Sequence, residues 1–462
     1  MPCVGMASHA STSCRAVATP SGVPHCMGPR RSVMCSGRAM HAPIGGASPR
    51  GVTIGGSSRR VEAASAGGGA SSTPAAAAGT LDEALGRLGD EQRAALAAEW
   101  GYEQLGAKLP AGLGLGVVGQ AVPEEVTLLD WKALALGIAL PLSLMVAGYA
   151  WMWYMHGIIP GWQQAICWVL VGTGYFGLFT VAHDASRMAL LTDNPELQTT
   201  LGSLLMAPSL YSLEAWRVQL LIHYAQPNML GEDDSGWQPL TKARLVAMGD
   251  LERRWARLAA TTPLKLLGSL AHWARSFGGF DLKKYYPPMR LTMIGSWSVP
   301  FVFMAVAWPA LIAGGGLAAW FDCWLMPWLI FHLWLSTLTL LQHTAPHVPF
   351  EPPGGSYDAA QAAVNGTVTV SLPAPLELVL NYANYHLPQH LSGSVPFYHA
   401  KAATQAIDAR LGPFLTKANL NGRLLRNLVE RWQVYDEETR QYITFDAAVA
   451  DISPASVRAQ AA

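Results

Sequence analysis

The chain has 462 residues, of which 51% are hydrophobic and only 13% charged, and its formal net charge is zero. A soluble domain carries about 25% charged residues, so this composition excludes an ordinary globular domain; the balanced charge gives no footing for nucleic acid, and none is expected as a partner. The six cysteines (Cys3, Cys14, Cys26, Cys35, Cys167, Cys323) form no CxxC pair, which excludes a disulfide framework and a thiolate metal site.

Residues 1–62 open the chain with seven arginines and, before Glu62, no acidic residue. They are rich in Ser, Ala and Gly and lack an apolar core of signal-peptide length. This reads as an organellar transit peptide, with an unstructured basic tail as the alternative. Residues 63–79 form a Gly/Ala/Ser linker. An N-terminal helical segment is expected over 80–130, opened by a capping-box pattern at Thr80-Leu81-Asp82-Glu83.

A transmembrane domain is expected over 131–400. No Asp, Glu, Lys or Arg occurs between Lys132 and Asp184, and between Arg290 and Glu351 Asp322 stands alone. About 20 apolar residues cross the hydrocarbon core, so each stretch predicts a hairpin. The four spans fall near 133–155, 165–181, 293–314 and 323–342, and 197–213 reads as an interfacial helix. The loops 156–164 and 315–322 hold no Lys or Arg, so the charge bias puts both termini on the opposite face. Residues 401–462 read as a soluble helical tail. The predicted fold class is an all-α integral membrane protein with four transmembrane helices in two hairpins, interfacial helices and a helical cap.

Three polar segments follow apolar ones on one face: His183-Asp184-Ala185-Ser186-Arg187, Trp216 to Tyr224, and His386-Leu387-Pro388-Gln389-His390. Imidazoles four apart on a helix face the same way and can clasp one metal, and imidazole suits iron, copper, zinc and nickel. With Trp237-Gln238-Pro239, His343-Thr344-Ala345-Pro346-His347 and Asn365-Gly366-Thr367-Val368, these strings resemble the membrane fatty-acid desaturases, nearest to the plastid omega-6 (delta-12) acyl-lipid enzymes, over roughly residues 95–450. The resemblance implies a helical di-iron membrane fold, a glycerolipid-linked acyl substrate and ferredoxin as electron donor.

Against the family's boxes, HDxxH, HxxHH, HxxHH and an NxxxH element, the ligand positions kept are His183, His223, His386 and His390. Those lost are Arg187, Leu220, Tyr224, Thr369 and Gln389. Asp184, Asn228, His343, His347 and Asn365 are assigned to the cavity or its rim. Leucine ligates nothing, and arginine keeps its charge in a protein and opposes a cation beside it. The expectation is therefore no cofactor, or at most one residual metal on His183, His223, His386 and His390. The chain reads as a non-catalytic lipid-binding, assembly or regulatory homologue in a chloroplast membrane, envelope or thylakoid, with boxes and termini on the stromal side. It would partner a membrane glycerolipid or acyl chain, and an active desaturase paralogue or another plastid membrane complex. The alternatives are an active omega-6 acyl-lipid desaturase with an altered iron site, which would use ferredoxin, and a purely structural membrane subunit.

Overall fold

The computed structural model describes residues 85–231, 238–278, 287–352 and 357–450. The transit peptide, the linker and the Thr80–Glu83 capping box lie outside these residues.

Among the described residues, three stretches are long and apolar enough to cross a bilayer: Trp131–Tyr154 (α2), Gly161–Ser186 (α3) and Met289–His343. Asp130 starts α2 by accepting from the backbone N–H groups of Lys132 and Ala133 at 2.9 and 3.1 Å. Helices α2 and α3 approach closely because small residues line their contact. A Cβ on Gly174 would stand 2.5 Å from Met145 Cγ and 2.7 Å from the Pro141 carbonyl oxygen. Apolar side chains on the outer faces, among them Val146, Trp153, Val302 and Val306, are exposed.

The third stretch holds helix Pro287–Trp320 (α8), one π-helical turn over Phe321–Leu325 and helix Met326–His343 (α9). Gly315 and Gly316 leave helical geometry, Gly316 with φ 71°, which only glycine adopts freely. Trp308 then packs on Trp320 and Trp324 with ring centroids 5.7 and 4.8 Å apart. A straight helix rising 1.5 Å per residue would hold those pairs roughly 18 and 24 Å apart, so the chain reverses at the glycines.

The remaining helices cap one end. Helix α1 (Asp90–Trp100) packs beside Gly422–Glu430. The segment read as a single interfacial helix is instead Pro195–Met206 (α4) with a short 3-10 turn, followed by Leu213–Ala225 (α5). Asp250–Thr261 (α6) and Ser269–Gly278 (α7) follow, with Leu251, Trp255 and Leu258 exposed on α6.

The all-α expectation needs one correction, since the described residues are mostly helical but carry two small sheets. Strand β1 (Val368–Ser371) pairs parallel with β2 (Thr416–Asn419), and β3 (Val434–Asp436) pairs antiparallel with β4 (Gln441–Ile443). The 401–450 segment is therefore not purely helical. These strands are three or four residues long, too short for alternation to register, and each depends on long-range burial of Val368, Val370, Val434 and Tyr435.

Candidate functional site

Four histidines converge under the cap. His223 comes from α5, His343 ends α9, His386 is the N-cap of the short helix Leu387–Leu391, and His390 lies within it. One ligand atom from each lies within 4.8 Å of all the others. His386 and His390 rings are 4.6 Å apart, and His223 and His390 rings 4.9 Å. His223 Nδ1, His343 Nδ1 and both nitrogens of His390 are buried with no hydrogen-bond partner. A buried polar atom left unpaired is costly, and a cation bound to these nitrogens would satisfy them together.

Burial, and then the neighbouring imidazoles, hold His223, His386 and His390 well below the usual histidine range. The rings are therefore neutral, which is the ligating form. Four neutral imidazoles at this spacing fit one metal ion. The expectation of no cofactor is not supported by this cluster.

The residual set read from sequence changes in one member. His183 stands apart from the four, with Nδ1 3.2 Å from Asp184 Oδ1 and Nε2 3.4 Å from the Tyr224 hydroxyl. His343, assigned to the rim, takes its place in the cluster. The sequence signal was available: His343 ends an apolar span on the same face as the boxes.

The five substituted positions do not offer a second set of ligands. Arg187 is buried beside the fully buried Asp184, Nη2 to Oδ1 2.5 Å. It also donates to the carbonyl oxygens of Gly393 and Val395 at 2.7 and 2.9 Å. Asp184 Oδ2 accepts from Phe397 N, so the pair ties the end of α3 to the chain after the third box. Tyr224 donates to Gln389 Oε1 at 3.0 Å, and that oxygen lies 3.1 Å from His386 Nδ1. Burial raises the Tyr224 hydroxyl, so it stays a phenol rather than a phenolate ligand. Leu220 is buried against the cavity. Thr369 lies on β1 with its Oγ1 unpaired. These residues do not fit a two-metal centre.

Three residues assigned to the rim belong elsewhere. Asn365 accepts from Leu109 N and donates to the Ala107 and Phe414 carbonyls. Asn228, at φ 56°, donates to the Gly366 carbonyl at 3.0 Å. His347 pairs with the Thr416 hydroxyl at 2.8 Å and stacks on Trp100. Asn365 and His347 pin the cap to the N-terminal segment, Asn228 holds the Gly366 turn, and none of the three lines the cavity.

A cavity of about 390 Å³ runs from this cluster outward, within the roughly 300–1,000 Å³ usual for ligand sites. His183, His223, His343 and His386 line one end, and Phe176, Phe179, Leu220 and Leu338 line the walls. Lys265 also lines it, donating to the carbonyls of Leu428 and Trp432. Its burial lowers it to about 7.

Charge-free helices, a capped imidazole cluster and an apolar cavity beneath it define a membrane-embedded protein with a candidate metal centre. Residues 160–418 match the family described as "Fatty acid desaturase". The chain is 33% identical over 360 residues to the "Omega-6 fatty acid desaturase, chloroplastic" of Brassica napus, covering 77% of this chain and 78% of that one. To the "sn-1 oleoyl-lipid 12-desaturase" of Synechocystis sp. it is 31% identical, covering 72% and 92%. This chain belongs to the fatty acid desaturase family.

Proposed function

We propose that this chain is a chloroplast-membrane member of the family that houses the acyl chain of a membrane glycerolipid, holds at most one metal ion, and does not carry out two-metal desaturation. In this reading it crosses the membrane four times, in two hairpins, with the imidazole cluster and both termini on the stromal side. Its role is lipid binding, assembly or regulation, alone or beside an active relative.

The observation that carries the reading is the buried Arg187–Asp184 pair. A guanidinium fixed beside the first box opposes a cation there, and a low-dielectric site screens that repulsion poorly. His223, His343, His386 and His390 would hold the single ion, which when bound would supply Lewis-acid or redox chemistry.

Metal per chain tests this, measured on the purified full chain after anaerobic loading with Fe(II). Expression in a host lacking delta-12 desaturation, with ferredoxin supplied, provides the second readout. One metal or none, with an unchanged acyl profile, is expected. Two irons per chain and a new double bond would restore the active-desaturase reading.

A further inference from the structure

The cavity has two chemically different ends. Unlike the imidazoles, Arg244, Ala259, Leu264, Ala271 and Arg275 line it while exposed, and form a mouth among helix Lys242–Ala247, α6 and α7. The two guanidinium groups lie close enough for Arg244 to lower Arg275, after burial, below the usual arginine value. Neither side chain has an ion pair or hydrogen bond among the described residues. Other arginines of the cap are paired, Arg217 with Glu214, Arg257 with Asp446 and Arg440 with Glu351. No Asp or Glu among the described residues lines the cavity.

Helix α6 turns Leu251, Trp255 and Leu258 outward beside this mouth. Exposed Trp and Leu on an amphipathic helix belong at the headgroup level of a bilayer. The mouth thus sits where a lipid headgroup would lie when its acyl chain enters the cavity. Two like charges at the rim of a cavity with no carboxylate among its described lining residues are best offset by an anion between them.

We infer that Arg244 and Arg275 select a glycerolipid with an anionic, phosphodiester headgroup, whose acyl chain fills the cavity. This rests on the acyl-chain reading above and adds the headgroup class. The full chain in a neutral detergent, offered equimolar dioleoyl phosphatidylglycerol and dioleoyl phosphatidylcholine, is read by native mass spectrometry. The wild type is expected to prefer phosphatidylglycerol roughly thirtyfold, from about 1 kcal/mol for each of the two arginines near an anionic lipid. Arg244→Gln/Arg275→Gln should bring the two lipids level, chiefly by weakening phosphatidylglycerol. Arg254→Gln/Arg426→Gln, which neutralises two exposed arginines away from the cavity, should keep the preference. Equal binding by the wild type, or loss of preference in that control, overturns the headgroup inference and leaves the acyl cavity standing. Binding of neither lipid overturns both.

Discussion

Tyr224 donates its hydroxyl to Gln389 across 3.0 Å, so two positions that carry imidazole in the family's boxes are bonded to each other. The substitutions are complementary rather than independent. A phenol and an amide fill space where two rings would otherwise aim at a metal, and Gln389 in turn orients His386. Removing the hydroxyl with Tyr224→Phe should cost about 1 kcal/mol, the net value of one hydrogen bond. Thermal unfolding in detergent should shift accordingly, while metal per chain stays as in the wild type. A drop in metal content would mean that Tyr224 reaches the ion.

Arg187 and Asp184 should matter more to stability than that pair. Both are nearly inaccessible, and each also holds backbone groups near the third box. Arg187→Ala leaves a buried carboxylate without its counter-ion, a loss of about 3–5 kcal/mol. The double variant Asp184→Ala/Arg187→Ala should cost less than the sum of the single ones, because it strands no charge. Additive losses would show that the two residues act separately.

Much of this arrangement is legible in the sequence. The charge-free stretches mark the membrane helices because nothing else tolerates so many apolar residues without a charge, and the boxes are readable by register even with five positions changed. The partners of the replacements are not, with one exception, the three-residue spacing of Asp184 and Arg187 on a helix. Nothing local says that Tyr224 meets Gln389, 165 residues on. His343 reads as a rim residue because a lone histidine after an apolar span is commonly just satisfied there. Only the chain reversal at Gly315–Gly316, which brings the end of α9 back under the cap, makes it a neighbour of His386. Asn228, His347 and Asn365 mislead in the opposite way. They lie near the boxes in sequence, yet their partners are Gly366, Thr416 and the 107–109 segment.

The buried imidazoles give stability a definite pH dependence in metal-free protein. His223, His386 and His390 are held well below their usual value, and burial takes His347 to about 4. An unfolded histidine takes up its proton near pH 6.5, whereas the folded rings stay neutral. Below that pH the unfolded state binds more protons, so folding stability is intact above about 6.5 and falls as pH drops toward the folded values. Melting temperatures between pH 8 and 5 should therefore decline from about 6.5 downward. Loading with metal should steepen the decline, because protons then compete with the ion as well. A flat profile would contradict the burial of neutral rings.

His343 and His183 should separate cleanly in a metal-binding assay. His343→Ala removes one of four converging donors, and should cost more than the roughly 10- to 100-fold lost when a residue that only hydrogen-bonds a ligand is removed. His183→Ala touches the Asp184 and Tyr224 network and should leave affinity within that range. Co(II) titration followed by its visible bands gives both affinity and ligand field. Equal losses would return His183 to the ligand set.

Restoring the boxes is the most demanding test of the proposal that Arg187 bars a second metal. Leu220→His, Tyr224→His, Thr369→His and Gln389→His together return four imidazoles but keep the guanidinium of Arg187 beside Asp184. Two charges about 4 Å apart repel by about 4 kcal/mol at an effective dielectric of 20, which outweighs much of what four added donors would contribute at that position. The four-residue variant should therefore bind no second metal. Adding Arg187→His removes the cation and leaves Asp184 without its counter-ion, so the five-residue variant should bind two metals per chain and be less stable when metal-free than when loaded. Metal content with melting temperature, each measured with and without Fe(II), separates the cases. Two metals in the four-residue variant would show that Arg187 is not the barrier.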